Sequence, residues 1–200
     1  VMIEINNLNN SKPYDLFQKY YDKACINKQS NVDAILVSSF NKLDNEVHSR
    51  FVNLKYIINN EWIFFSNYQS QKSKDFDTHN QIAANLYWNS IDLQIRIKAN
   101  IFKTKKDFSD IHFKKRSHKK NILALSSMQS KTIDNYNSVL DNYNKALKLN
   151  ENNLSRPEYW GGYSFIPYYF EFWSGDEYRL NKREVFENKD GLWNNYILQP

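Results

Sequence analysis

The chain has 200 residues, with 41% hydrophobic and 24% charged positions and a formal net charge of +5, an ordinary globular composition for one domain. Five Trp, 14 Tyr and 13 Phe exclude disorder throughout, and only 4 Gly and 4 Pro exclude a collagen-like or linker-dominated chain. The lone Cys25 excludes an intramolecular disulfide framework and fits a reducing, cytoplasmic compartment, and no apolar run approaches the roughly 18 residues of a membrane helix.

Residues 1–12 (VMIEINNLNNSK) are polar and Asn-rich; they read as a mobile lead-in, and Glu4 without a basic run is unlike a secretory signal. Pro13 then opens PYDLFQKYYDKAC, where Leu16, Phe17, Tyr20, Tyr21 and Ala24 recur at helical spacing and Cys25 reads as a small buried hydrophobe. DAILVSSF (33–40) reads as a buried strand. RFVNLKYII (50–58) and EWIFFS (61–66) flank Asn59-Asn60, a hairpin turn because Asn tolerates positive φ. A short helix over 70–79 and a strand over 81–88 follow. In LQIRIKANIF (93–102), Leu93, Ile95, Ile97, Ala99 and Ile101 alternate with polar residues, a strand with one dry face. Residues 107–115 fit a helix. Ile133, Tyr136, Leu140, Tyr143 and Leu147 predict an amphipathic helix over 131–149. Strands are expected at 165–173, 178–186 and 192–198, the last two joined by ENKDG (187–191). Strands close together with hairpin-like breaks predict an antiparallel sheet or small barrel with helices outside, in a single domain over 13–200.

Several chemistries are disfavoured. There is no Gly-rich phosphate loop, HExxH, CxxC or GxSxG, which argues against a nicotinamide dehydrogenase, a kinase-like fold, a zinc hydrolase and a metal site in general. The basic stretches Lys103–Lys106 and Lys114–Lys120 read as solvated helix faces or as a site for phosphorylated ligands; a nucleic-acid interface is the weaker alternative. Residues 156–183, RPEYWGGYSFIPYYFEFWSGDEYRLNKR, hold three of the four Gly and two of the four Pro. Gly161-Gly162 between aromatics allows close backbone approach. On a strand, Arg179, Asn181 and Arg183 would share one face, a site for an anionic or planar ligand; an aromatic-rich core strand with surface arginines fits the same pattern.

The run RPxxWGGYxxxPxxxEFWxGxxxRLxxR resembles the C-terminal signature of the pyridoxamine 5′-phosphate oxidase family. RFVNLK (50–55) is similar to the family's basic strand. FFSN (64–67) and SQK (70–72) resemble its next hairpin and phosphate-binding turn, and SSMQS (126–130) its Gln-Ser pair. The resemblance spans about residue 13 to 200.

It implies an FMN-binding split β-barrel, antiparallel and homodimeric through a C-terminal region over 156–200, with no nucleic-acid or membrane partner. The implied reaction moves a hydride from pyridoxamine 5′-phosphate, and pyridoxine 5′-phosphate, to FMN; the product is pyridoxal 5′-phosphate, and O2 is reduced to H2O2. By the same resemblance, Arg50, Phe51, Val52, Asn53, Leu54, Lys55, Phe65, Ser66, Gln71 and Lys72 contact the cofactor. So do Gln94, Gln129, Ser130, Trp173 and Arg183. The substrate falls to Lys55, His112, Arg116, Lys120, Arg179 and Asn181, the last two catalytic. Physically, phosphate needs cations and donors, and the flavin edge needs donors. The chain departs from the pattern: Asn181 stands for a usual histidine, His112 for tyrosine, Lys120 for serine, Gln71 for arginine and Leu93 for arginine. Those changes leave open a weakly active or non-catalytic protein that binds FMN or pyridoxal phosphate.

Overall fold

A computed structural model describes residues 2–150 and 154–200; Val1, the first residue of the expected lead-in, and residues 151–153 of the expected domain lie outside it. Among the described residues ten strands form one sheet. They are β1 Glu4–Asn6, β2 Ala34–Asn41, β3 Glu46–Asn53, β4 Tyr56–Ile58, β5 Glu61–Asn67, β6 Gln81–Trp88, β7 Leu93–Lys103, β8 Trp160–Ser174, β9 Lys182–Lys189 and β10 Leu192–Leu198. Helices α1 Lys12–Ile26, α2 Gln71–Thr78, α3 Lys106–Lys115, α4 His118–Ser126 and α5 Tyr136–Leu149 flank it, so the architecture is mainly β with outer helices. Among the described residues no helix is long and apolar enough to cross a membrane.

The strand order is β1-β4-β5-β8-β7-β6-β2-β3, and every pairing except β1–β4 is antiparallel. Strand β3 also approaches β5, so the sheet curls round towards its own start. Strand β8 organises the rest. Its first half pairs with β5 (Trp62↔Phe165 to Asn67↔Trp160) and its second half with β9 (Tyr169↔Glu187 to Ser174↔Lys182). Pro167 sits in the gap between these two partners, where β8 bulges against Lys98/Ala99. A proline has no N–H to donate, and this gap asks for none on that edge.

The core follows from side-chain period. Leu93, Ile95, Ile97, Ala99 and Ile101 on β7 are buried in alternation, as the sequence predicts. Helix α1 buries Pro13, Tyr14, Phe17, Tyr21 and Ala24; the Phe17 ring lies 4.6 Å from Trp62 and 5.9 Å from Trp88 between centroids. Each large side chain removed from water in this way contributes about 1.5–3 kcal/mol. The glycines at 161 and 162 are needed for packing: a Cβ on Gly161 would run into the Tyr68 hydroxyl, and one on Gly162 would meet Thr104 Oγ1 at 2.6 Å.

Several expectations are corrected. The polar lead-in contains β1, which runs parallel to β4, with Ile3 buried and its N–H donated to the Tyr21 hydroxyl at 2.8 Å. The strand expected over 50–58 is two strands, because the chain leaves β2 as partner and takes up β5 at Leu54-Lys55. Residues 178–181 are not in a strand: β9 begins at Lys182, and Arg179 has φ 63°, so Arg179, Asn181 and Arg183 do not share a strand face. The turn expected over 187–191 tightens to Asp190-Gly191, both at positive φ, as a two-residue hairpin demands. Helix α4 was not anticipated; its nine residues start in a basic run that masks the period. Helix α5 starts at Tyr136 rather than 131, because the Asn135 side chain accepts the Ser138 N–H at 3.0 Å and caps it.

Candidate functional site

A cleft of about 900 Å³ opens where β3, β5, the start of α2 and the α3–α4 corner meet. It gathers most of the residues singled out in the sequence. Arg50, Phe51, Val52 and Asn53 enter from β3, and Phe65 and Ser66 from β5. Gln71 and Lys72 come from the first turn of α2. Lys55, His112, Arg116 and Lys120 line it, as do Gln129 and Ser130. Among the described residues no carboxylate lines the cleft. Leu54 is not among the lining residues: its side chain is fully buried in the core.

One group of cations is built on α2. Lys72 is 6% exposed, and its Nζ donates to Ser66 Oγ at 3.1 Å and Ser70 Oγ at 3.2 Å. Among the described residues it has no acidic partner within salt-bridge distance. Burial, and then the nearby Arg50 charge, push its pKa down to about 8, although Asp75 pulls the other way. Arg50 is held from behind. Its Nη1 donates to Ser39 Oγ at 2.7 Å and to the Val37 carbonyl at 3.2 Å, and its Nη2 to Asp75 Oδ2 at 3.4 Å. Asp75 is fully buried and also accepts from Ser39, Asn41 and Gln71. Burial opposes its charge, but the Ser39 and Gln71 hydrogen bonds and the His48 and Arg50 charges outweigh it and hold the carboxyl low. Gln71 therefore spends its amide on Asp75. The Gln129 side-chain oxygen accepts the Asn67 N–H at 3.3 Å, which ties the 129–130 segment to β5.

The second group of cations sits at the α3–α4 corner. The Arg116 guanidinium lies over Trp160, 4.3 Å from the ring centroid, and donates through Nη2 to the Lys120 carbonyl at 3.0 Å. Its Nη1 is buried without a partner, and burial lowers its pKa to about 10. Lys55 Nζ donates to Asp33 Oδ2 at 2.9 Å. His112 stacks on Phe65 with centroids 3.6 Å apart and 10° between planes, and its Nδ1 is 2.8 Å from the Tyr56 hydroxyl. Burial, then Arg116, Lys55 and Lys115, push the His112 pKa down to about 4, so the ring is neutral at neutral pH.

The remaining residues lie elsewhere on the chain. Gln94, Trp173 and Arg183 occupy one row across β7, β8 and β9, register partners of one another. Arg183 donates through Nε to Glu171 Oε1 at 2.8 Å and through Nη1 to the Gln199 carbonyl at 3.1 Å. Trp173, Arg179 and Asn181 line a second cleft of about 580 Å³ with Asp92 and Asp176. There the Asn181 side-chain oxygen accepts the Asp176 N–H at 3.1 Å. Within one chain, then, the expected site is divided between two clefts. Sequence reasoning missed Lys115, Ser117, Leu123 and Trp160 in the first cleft. Trp160 lay inside the quoted signature and could have been named from it; nothing local marks Leu123.

The family description "Pyridoxine 5′-phosphate oxidase C-terminal dimerisation region" matches residues 160–200, which contain β8, β9 and β10. A pyridoxine/pyridoxamine 5′-phosphate oxidase of Leptospira biflexa is 34% identical over 189 residues, covering 94% of this chain and 89% of its own. One from Porphyromonas gingivalis is 30% identical over 190 residues, covering 94% and 88%. Among solved structures, PhzG from Burkholderia lata in complex with tetrahydrophenazine-1-carboxylic acid superposes with a TM-score of 0.89 at 23% identity, over 95% of this chain and 93% of that one. A pyridoxamine 5′-phosphate oxidase-related, FMN-binding protein from Nostoc punctiforme gives 0.76 at 9% identity, over 96% and 99%. These two likenesses carry the fold, a split β-barrel of the flavin-binding type; the identity to the Leptospira and Porphyromonas relatives carries the family. This chain belongs to the pyridoxine/pyridoxamine 5′-phosphate oxidase family.

Proposed function

We propose that this chain is an FMN-dependent oxidase that converts pyridoxamine 5′-phosphate, and pyridoxine 5′-phosphate, to pyridoxal 5′-phosphate with O2 reduced to H2O2. The observation that carries the reading is a cleft with no carboxylate among its described lining residues and with two groups of cations, Arg50 with Lys72 and Arg116 with Lys55. Arg50 and Lys55 are already paired with Asp75 and Asp33, but Lys72 and Arg116 are partly desolvated without a carboxylate partner among the described residues, so each group favours an anionic ligand. Two phosphorylated molecules in one cleft would satisfy both.

The residues fit FMN at the first group. Lys72 and Arg50 would meet its phosphate with Ser66 as a donor, beside Phe51, Val52, Asn53, Lys55, Phe65 and Gln71. Gln129 and Ser130 would border the ring. When bound, FMN supplies the hydride acceptor. Lys55, Arg116 and Lys120 would hold the substrate phosphate, with His112 as a neutral donor. Their work is orientation and charge compensation, and no side-chain acid or base is required of them. Gln94, Trp173 and Arg183, with Arg179 and Asn181, reach such a ligand only from a second copy of the chain, which the match of 160–200 to a dimerisation region supports. The single free thiol suits a cytoplasmic setting.

The test is to load the purified protein with FMN and supply pyridoxamine 5′-phosphate in air. Stoichiometric pyridoxal 5′-phosphate and peroxide are expected; a protein that stays colourless after FMN loading ends the reading. One observation favours a second reading, a flavin or pyridoxal-phosphate binder with little turnover. Asn181 stands for the family's usual histidine and uses its amide oxygen on its own turn. A yellow protein with no product would select it.

A further inference from the structure

We propose that Tyr56 is a positioning residue for the phosphate of the substrate: its hydroxyl donates to His112 Nδ1, which leaves the imidazole proton on Nε2 as an uncharged donor to the anion. The inference rests on the proposed reading of the cleft and concerns two residues that act as a pair. Tyr56, on β4, is buried, and its ring meets His112 edge-on at 5.4 Å and 83°. The hydroxyl lies 2.8 Å from Nδ1. Phe65 covers one face of the imidazole at 3.6 Å between centroids and fixes the plane in which Nδ1 meets the hydroxyl.

Two tautomers could make the Tyr56 contact. If Nδ1 carried the proton, the phenol would accept it, and its own O–H would need another acceptor. Among the described residues the hydroxyl has no other hydrogen-bond partner. A buried O–H left unpaired costs on the order of a full hydrogen bond, so the phenol donates and Nδ1 accepts. The ring holds a single proton at neutral pH, because burial and the facing charges of Arg116, Lys55 and Lys115 oppose a second. That proton is then on Nε2, the one polar atom of the ring not engaged by Tyr56. His112 lines the cleft with Lys55, Arg116 and Lys120, where a donor serves an anion and a bare lone pair would repel it.

The experiment combines imidazole 15N NMR with kinetics on the FMN-loaded enzyme. In the native protein at pH 7 the His112 nitrogens are expected in the Nε2–H pattern, and inorganic phosphate should shift that resonance. Tyr56→Phe should give mixed tautomers and raise KM for pyridoxamine 5′-phosphate about tenfold, the effect of one hydrogen bond to a charged group, with kcat within about twofold. In a His112→Phe background, Tyr56→Phe should add nothing to KM. An Nδ1–H or doubly protonated His112 in the native protein would overturn the proposal. So would a Tyr56→Phe effect on KM that persists without His112. Nε2–H that responds to phosphate in a protein without turnover would keep the proposal and reject the oxidase reading.

Discussion

In the first cleft Lys72 is buried and Arg116 half-buried, neither has an acidic partner among the described residues, and burial lowers their pKa values to about 8 and about 10. In the β8–β9 region the buried charge is Glu171, and it is surrounded. Arg96 donates to both its oxygens at 3.3 and 3.1 Å, Arg183 donates at 2.8 Å and Tyr169 at 3.0 Å. Burial opposes the Glu171 charge, but these bonds and the Arg96 and Arg183 charges outweigh it and hold the carboxyl below its usual range. Both regions desolvate ions, but the first pairs Arg50 with Asp75 and Lys55 with Asp33 while leaving Lys72 and Arg116 without a carboxylate among the described residues, whereas the second surrounds its carboxylate with donors. The first leaves its stabilisation to be supplied by a ligand; the second is complete as folded.

Substitutions can sharpen that contrast. The largest effect is expected from Arg50→Ala, which removes a guanidinium already oriented by Ser39, Val37 and Asp75. FMN affinity should fall about 100-fold, read by flavin fluorescence quenching, with a smaller change in ligand-free melting temperature. Arg116→Ala should raise KM for pyridoxamine 5′-phosphate by about 10–100-fold, the range of a charge-assisted hydrogen bond. An unchanged KM would remove the phosphate from the α3–α4 corner. Lys72→Met should do opposite things to folding and binding. In the ligand-free protein it should stabilise by on the order of 1–3 kcal/mol, because a buried, unpaired ammonium disappears. Glu171→Gln should destabilise by about 1–2 kcal/mol, since it leaves two guanidiniums short of charge. Equal signs for these two substitutions in thermal melts would erase the distinction between the regions.

The pH dependence follows from Lys72. Its folded pKa, about 8, lies below its ordinary value, so the ammonium form is disfavoured by folding. Ligand-free stability should therefore rise as pH climbs from about 8 towards 10.5. Phosphate binding favours the ammonium, so FMN affinity should be constant between about pH 7 and 8, where the phosphate is a dianion, and weaken above pH 8. An affinity that stays flat to pH 9.5 would place the anion away from Lys72.

The strands were legible wherever one face is dry. Leu93 to Ile101 alternates cleanly because β7 lies between two partners over a single core. The helix at α1 was legible for the same reason at a period of 3.6. Local pattern failed where strands change partners, at Leu54-Lys55, and where a turn uses residues that look strand-like, at 178–181. It also failed at β1, whose three residues gain their place only from β4 and Tyr21. The period of α5 was real, but none of its residues is buried in this chain, so amphipathicity did not predict what it packs on. Most of the candidate site was legible through motif resemblance, because Arg50, Ser66, Lys72, Gln129 and Arg116 stand at motif positions. Asp75, Tyr56 and Lys115 were not, because their roles come from contacts made across β2, α2, α3 and β4 that no spacing encodes. The division of the site into two clefts was equally invisible, since it depends on which edge of β8 each half presents.

The most direct measurement compares equilibrium binding of FMN with that of riboflavin, which has the same ring and no phosphate, in the native protein and in Lys72→Met. The account predicts that the native chain prefers FMN by about 100-fold or more and that the preference falls about tenfold in the variant, where Arg50 and Ser66 remain. Equal affinity for the two flavins in the native protein, or a preference unchanged by loss of the lysine, would contradict it.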